Sequence, residues 1–482
     1  MLVERLTRGN HVRNTRRVIA VVLAVTFVGL AACARSDTAG TVKTTEAASG
    51  VAGDAPANGQ LGTLTTPVCN PAPAGATNTA SAQGVTATSI EVGTISDPGF
   101  TGAPGLNQEL FDASDVFVAW CNSLGGINGR QIKVDKLDAK ILEYKQRILE
   151  ACAKDFTLTG GGGVFDDAGQ VDRLNCLLPD FPGYVVTPRA RGADLQVQAL
   201  PYPLNKTNFG LGRYLTATFP DSTSRVGYLT GNVATTVVAK DQVKDAGVQL
   251  GWQTVYDDQY SALGESTWVP TAQAIKDKGV KGLYYVGEPT NLGRLLAALE
   301  QIGYRLDWVA GAGNLYDQSM IDSAGTSLDS NPVYSATSVT PFLAAAAVPA
   351  VAQYQQLFAK YLPKGKKDAA LGLNSFNAWL LWAKSAQSCG ANLTRRCILD
   401  AGLATTSWNG GGLAATADPA THDQPAQCIS LQKATSSGFS LIDWESQDGV
   451  YNCDPANVIT LTGDYGKPAS LAETSKTLDQ LN

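Results

Sequence analysis

The side chains with the most reactive potential in this 482-residue chain are nine cysteines, two histidines and a scatter of carboxylates in turn-forming runs. Once the first residues are set aside as an address, a single histidine remains, His422, in the loop-like run DPATHDQP, where it reads as an exposed spacer. A Ser–His–Asp centre would have to use it, and no G-x-S-x-G elbow accompanies it. No His/Cys set has zinc spacing. The run Gly160–Gly163 is not followed by Gly-Lys-Ser/Thr, so it is no phosphate loop. Gly210-Leu-Gly212 and Gly311-Ala-Gly313 each lack the third glycine of a dinucleotide site. Neither catalysis nor a metal or cofactor is expected; what remains is reversible binding.

The N-terminal address explains the cysteine count. Arg5, Arg8, Arg13, Arg16 and Arg17 precede the apolar run Val18–Gly29, the pattern of a signal peptide and shorter than the roughly 20 residues of a membrane span. Leu30-Ala31-Ala32-Cys33 resembles a bacterial lipobox, which implies cleavage before Cys33 and diacylglycerol on its thiol. Thr15-Arg16-Arg17 faintly resembles a twin-arginine signal, so Sec and twin-arginine export both stay open, with Sec preferred. The stretch 33–83 is rich in Ala, Gly, Thr, Ser and Pro with few large apolar residues. It is expected to be a flexible tether, unless Cys69 pins it to the domain.

Removing residues 1–32, with five Arg and one Glu, lowers the net charge of −6 by four. That excess of acid argues against nucleic acid or anionic lipid as a partner. About 400 residues follow the tether, more than one core usually holds, so two lobes are expected. Eight cysteines besides Cys33, in an exported chain, predict four disulfides.

The residues that would position a binding site alternate between strand and helix. SIEVGTIS ends in Asp97-Pro98-Gly99, and Leu110, Ala113, Phe117, Trp120 and Leu124 follow at helical spacing. Strands are predicted at 131–135, 163–165, 184–187, 225–229, 252–257, 283–286, 308–311 and 333–338. Helices are predicted at 143–156, 168–177, 235–246, 270–278, 292–302, 350–361 and 376–388, with short β pieces near 428–432 and 439–444. Repeated βα units of this kind give parallel sheets with helices on both faces, an α/β fold.

Four segments carry a resemblance: GVTATSIEVGTISD, WCNSLGGINGRQIKV, YVVTPRA and LYYVGEPTNLGRLLAALEQIGY. Together, over about 84–444, they resemble ABC-transporter substrate-binding lipoproteins of the type I periplasmic-binding-protein fold, in the subgroup for branched-chain amino acids and amides. The resemblance implies two doubly wound parallel-sheet lobes joined by a three-crossover hinge. Lobe one would span 84–203 and 340–404, lobe two 204–339 and 405–455, with a C-terminal tail at 456–482. It implies a monomer tethered to the outer face of the cytoplasmic membrane that hands a small polar solute to an ABC permease. A solute sensor docking on a separate receptor is the alternative, and an exported enzyme using the same cleft the alternative of another class.

Ligands of open α/β sheets lie beyond the carboxyl ends of strands. The candidates are therefore Asp97, then Phe165, Asp166 and Asp167, then Thr187 and Arg189, in lobe one. In lobe two they are Asn232, Glu288, Asn314 and Tyr316. So many carboxylates would suit an amide, a cationic compound or a larger polar molecule better than an amino-acid carboxylate. The first two helices of successive β-α units lie side by side, which pairs Cys121 with Cys152. Cys389–Cys397 would close a short interhelical loop, Cys428 would meet Cys453, and elimination leaves Cys69–Cys176.

Overall fold

The computed structural model describes residue 56 and residues 58–481. The expected signal peptide, Cys33 and the first part of the expected tether lie outside the described residues. Two sheets organise the rest. The first contains β1 (Ser89–Ser96), β2 (Gln131–Asp138), β3 (Thr157–Thr159) and β4 (Asp180–Phe181), in the order β2-β1-β3-β4 and all parallel. Helices α1 (Gln108–Ser123), α2 (Tyr144–Lys154) and α3 (Gln170–Asn175) connect them.

The chain then crosses through β5 (Lys206–Asn208) to α4 (Gly210–Thr218) and a second set of units. These are β6 (Val226–Gly231), α5 (Ala234–Gln249), β7 (Thr254–Tyr260), α6 (Val269–Asp277), β8 (Gly282–Val286) and α7 (Pro289–Gln301). They continue with β9 (Trp308–Gly311), α8 (Gln318–Ala324), α9 (Ser327–Ser330) and β10 (Val333–Thr337). A second crossing returns to lobe one with α10 (Pro349–Tyr361), α11 (Ala370–Ser388) and α12 (Arg395–Leu403). A third leads to the antiparallel pair β11 (Ser430–Thr435) and β12 (Gly438–Ile442), which completes a seven-stranded sheet of order β12-β11-β10-β9-β8-β6-β7. Finally β13 (Val458–Thr460) pairs antiparallel with β5, and the tail returns to lobe one.

Helix α11 is the centre of lobe one. It is apolar on nearly all sides and buried from Ala370 to Ala383, the pattern of a helix packed from every direction. Trp379 stacks on Phe117 at 5.3 Å, and its indole N–H donates to Ser114 Oγ at 2.7 Å. Trp382 donates to Thr157 Oγ1 at 2.9 Å. Thus both indoles bury their area without an orphaned donor.

Three expectations need correction. The third and fourth strands end earlier than the sequence pattern predicts, at Thr159 and Phe181. Beyond Thr159 the backbone is held tight by glycine: a Cβ on Gly160, whose φ is +68°, would fall 2.4 Å from the Trp379 indole nitrogen. The described part of the tether does not hang free. Leu61, Val68 and Cys69 are buried in the lobe-one core, and Asn70 N–H donates to Gly126 O at 2.9 Å. Three anchors within a small-residue run were diluted by its average composition.

The disulfides are Cys69–Cys121, Cys152–Cys176, Cys389–Cys397 and Cys428–Cys453. The last two are as expected, while Cys121–Cys152 and Cys69–Cys176 are exchanged. The packed N-terminal segment brings Cys69 to the end of α1, and Cys152 turns instead to Cys176 at the end of α3, with which α2 packs.

Candidate functional site: a cavity between the lobes

A cavity of about 800 Å3 lies between the two sheets, in the upper part of the range for sites that hold drug-sized molecules. The carboxyl end of every parallel strand reaches it. Lobe one contributes Phe100 and Leu106 after β1, Ile141 after β2, Val164 after β3 and Tyr184–Val186 after β4. Lobe two contributes Val233 after β6, Tyr260 and Ala262 at the end of β7, Glu288 and Asn291 after β8, Asn314 after β9 and Ser338 after β10.

The lobe-one acids expected at this rim face the other way. Asp97 is fully buried; its Oδ1 accepts Ile141 N–H at 2.6 Å and its Oδ2 accepts Val164 N–H at 3.0 Å. Ile141 has φ +69°, rare for a β-branched residue, so its strained turn is held where its side chain meets the cavity. Asp166 does the same for the next loop, accepting Val186 N–H at 2.7 Å and Thr187 N–H at 2.9 Å. Burial pushes the Asp97 carboxyl up to about 6 and that of Asp166 to about 7, with the backbone donors working against the shift. Each carboxylate is spent on backbone, and what its loop presents to the cavity is a valine or an isoleucine. The interior is consequently apolar over most of its surface.

The remaining candidates divide. Glu288 and Asn314 line the cavity; Glu288 caps α7 by accepting Thr290 and Asn291 N–H at 2.7 and 2.8 Å, and Asn314 donates to Gly287 O at 2.7 Å. Burial raises the Glu288 carboxyl. Phe165 and Asp167 do not line it, Thr187 is buried against Asp166, and Asn232 Oδ1 accepts Ala262 N–H at 2.9 Å. Tyr316 stacks on Phe342 at 4.0 Å inside lobe one's core. Arg189 pairs with Glu473 of the tail. His422 is half-buried, not a free spacer, its ring Nδ1 3.2 Å from Gly192 O.

The residues that sequence reasoning missed trace back to the misplaced strand ends. Val164, Tyr184, Val185 and Val186 come directly after β3 and β4, whereas Phe165–Asp167 and Thr187–Arg189 lie a few residues too far on. Tyr260 was missed because β7 runs to it, past the expected end at Asp257. Its hydroxyl accepts from Tyr285 at 2.6 Å, so a pair of tyrosines braces this wall. Lys366 reaches both lobes: its ammonium is 2.8 Å from Glu109 of α1 and 2.8 Å from Asp317 at the start of α8.

Two α/β lobes whose strand ends converge on one partly open cavity have the architecture of a solute-binding fold. Residues 202–438 match the family model described as periplasmic binding protein, and the fold is the type I periplasmic-binding-protein fold. A fatty acid ABC transporter substrate-binding protein from Thermomonospora curvata superposes with a TM-score of 0.65 at 16% identity, covering 79% of this chain and 97% of that one. A possible leucine/isoleucine/valine-binding protein from Rhodopirellula baltica gives 0.63 at 12% identity, covering 78% and 99%. The branched-chain amino acid transporter substrate binding protein LivJ from Streptococcus pneumoniae, in complex with isoleucine, gives 0.59 at 14%, covering 74% and 99%. No curated protein matches the sequence significantly. The matched family and these structures are binding proteins rather than enzymes. Among the described residues, no group of His, Cys, Asp and Glu is placed to hold a metal ion, and no helix is long and apolar enough to cross a membrane.

Proposed function

We propose that this protein is the solute-binding component of an ABC importer, held at the outer face of the cytoplasmic membrane by lipid on Cys33, with a solute larger and more apolar than an amino acid. The observation that carries this reading is the cavity itself. Its walls are rich in hydrocarbon for the small polar solute that the sequence suggests, because Asp97 and Asp166, expected at its rim, are turned into the protein. The Thermomonospora curvata relative, named for fatty acid transport, supports the direction of this revision. Membrane tethering fits a binding protein that works beside a permease, and the lobes can act as a monomer.

A thermal-shift screen of the purified mature chain tests the reading. A solute at about 100 times its Kd adds about 2.7 kcal/mol to the folded state. Stabilisation by medium- or long-chain amphiphiles and aromatic acids, with none by leucine, valine or urea, is the expected result. Stabilisation by branched-chain amino acids alone overturns it. For the anchor, a Cys33→Ser chain should appear in the medium; full membrane retention at unchanged mass counts against lipidation.

A further inference from the structure

Seven charged side chains face the cavity, and they are not spread evenly. Lys366 is consumed by Glu109 and Asp317, and Arg294 lies within electrostatic reach of Glu288. Arg191 and Lys206 differ: neither forms an ion pair among the described residues. Arg191 comes from the loop after β4 and points across to lobe two, where its Nη1 donates to Gln242 Oε1 at 2.8 Å. Gln242 in turn donates to Leu204 O at 2.8 Å, which places this cation beside the crossing that carries Lys206. The Arg191 Nε is buried without a partner. The nearest acid in its field, Asp166, is already committed to two backbone N–H groups.

A guanidinium with donors to spare, facing hydrocarbon, is a costly arrangement unless an anion completes it. Its planar fork suits a carboxylate, and Lys206 adds a second positive charge nearby. We propose that Arg191, assisted by Lys206, is the head-group anchor for an amphiphilic carboxylate whose hydrocarbon part lies against Ile141, Val164 and Val186. This rests on the solute-binding reading and adds to it the charge and the orientation of the ligand. Gln242 makes the anchor part of closure, because the same guanidinium that takes the head group also reaches lobe two.

The test uses the mature chain passed over a lipid-adsorbing resin, with dodecanoate and dodecan-1-ol as probes in titration calorimetry. Dodecanoate should bind about 10-fold or more tightly than the alcohol, the effect of one charge-assisted hydrogen bond or more. Arg191→Met should abolish that margin between acid and alcohol; Arg191→Lys should keep part of it. Equal affinity of the wild-type protein for acid and alcohol overturns the anchor while leaving the apolar-solute reading standing. So does a margin that survives in Arg191→Met. Binding of leucine with no binding of either amphiphile overturns both. Where Arg191→Met does not fold, the wild-type margin and that of Lys206→Met decide.

Discussion

The two lobes use several of their aspartates in opposite ways. In lobe one Asp97, Asp155, Asp166 and Asp180 are buried, and burial raises all four, to about 6 or 7. Asp97 and Asp166 spend their oxygens on the loops that face the cavity. In lobe two Asp245 accepts from Thr462 N–H, Gly463 N–H and the Tyr465 hydroxyl, and these donors hold it down at about 2. Asp257 sits between Lys240 and Lys244 at 2.7 and 2.6 Å and is likewise lowered. Covalent ties differ too. Cys69–Cys121, Cys152–Cys176 and Cys389–Cys397 all staple lobe one, and Cys428–Cys453 alone sits with the third crossing. A carboxylate at the end of a strand is therefore no guide to ligand contact until its own hydrogen bonds are counted. In lobe one those bonds build an apolar wall.

The largest way to disturb this contrast is to cut the staple between the N-terminal segment and α1. Cys69 and Cys121 are 52 residues apart. A closed loop of that length is worth about 4 kcal/mol in the chain-entropy model. The Cys69→Ser/Cys121→Ser double variant should lose about that much, and calorimetry should show the loss in the unfolding of lobe one. Limited proteolysis should then cut within residues 58–83. An unchanged melting profile would mean that Leu61 and Val68 hold the segment unaided.

Next in size is the ionic tie between the lobes. Lys366→Met leaves Glu109 and Asp317 facing each other with no cation, in a site where both acids are nearly fully buried. Breaking a buried pair costs about 3–5 kcal/mol, and since Lys366 is one-third exposed a loss of about 2 kcal/mol is expected. Adding Glu109→Gln should recover part of it, because one of the stranded charges is gone. Urea unfolding measures both, and a double variant no more stable than the single one would deny the coupling.

The opposite pKa shifts predict opposite responses to pH. A carboxyl raised in the folded state stabilises the fold fully below its unfolded value of 3.8, and that contribution is lost as pH rises through about 6–7. Lobe one should therefore melt lower at pH 8 than at pH 5. A lowered carboxyl such as Asp245 contributes above about pH 4 and loses its contribution as pH falls toward 2, so lobe two should weaken on the acid side. Each buried lobe-one acid is worth on the order of 1–3 kcal/mol across its window. The Asp97→Asn/Asp166→Asn variant should flatten the slope between pH 5 and 8. A slope unchanged in that variant would place its origin elsewhere.

How much of this was legible depends on the quantity each signal measures. Helical spacing at Leu110, Phe117 and Trp120, and the β-branched strands, report burial, so the alternation of βα units and the two parallel sheets could be read directly. Strand ends are set by pairing partners that lie far away in sequence. The glycines after Thr159 extend the look of β3; Gly160 and Gly162 still bond Phe181 O and Ile95 O but form no strand, and a slip of a few residues there put Phe165, Asp167 and Arg189 beyond the cavity lining. Direction was equally hidden: nothing in GTISDPG says that Asp97 will turn toward Ile141 and Val164. The exchange of two disulfides has the same source, since the packing of 58–83 against α1 depends on buried Leu61 and Val68 within a run of small residues.

The smallest effect concerns two arginines, two residues apart. Arg189 was a candidate ligand contact, yet its guanidinium is occupied: Nη1 donates to Glu473 at 3.0 Å, with both side chains about one-third exposed. Arg189→Ala removes one solvent-screened pair, and exposed pairs contribute little. The tail does not depend on it. Ala469 N–H donates to Arg189 O, Asp194 N–H donates to Ala469 O, and both bonds are made by backbone that the substitution leaves in place. Leu481 is buried in lobe one as a further fastening. Arg189→Ala should therefore leave the melting temperature and dodecanoate affinity almost unchanged. Arg191, facing the cavity with spare donors, should govern affinity and not stability. A loss of dodecanoate binding in Arg189→Ala equal to that in Arg191→Met would mean that the local positive field matters and the guanidinium's position does not. The difference between the lobes' cleft faces would then lie in net charge alone.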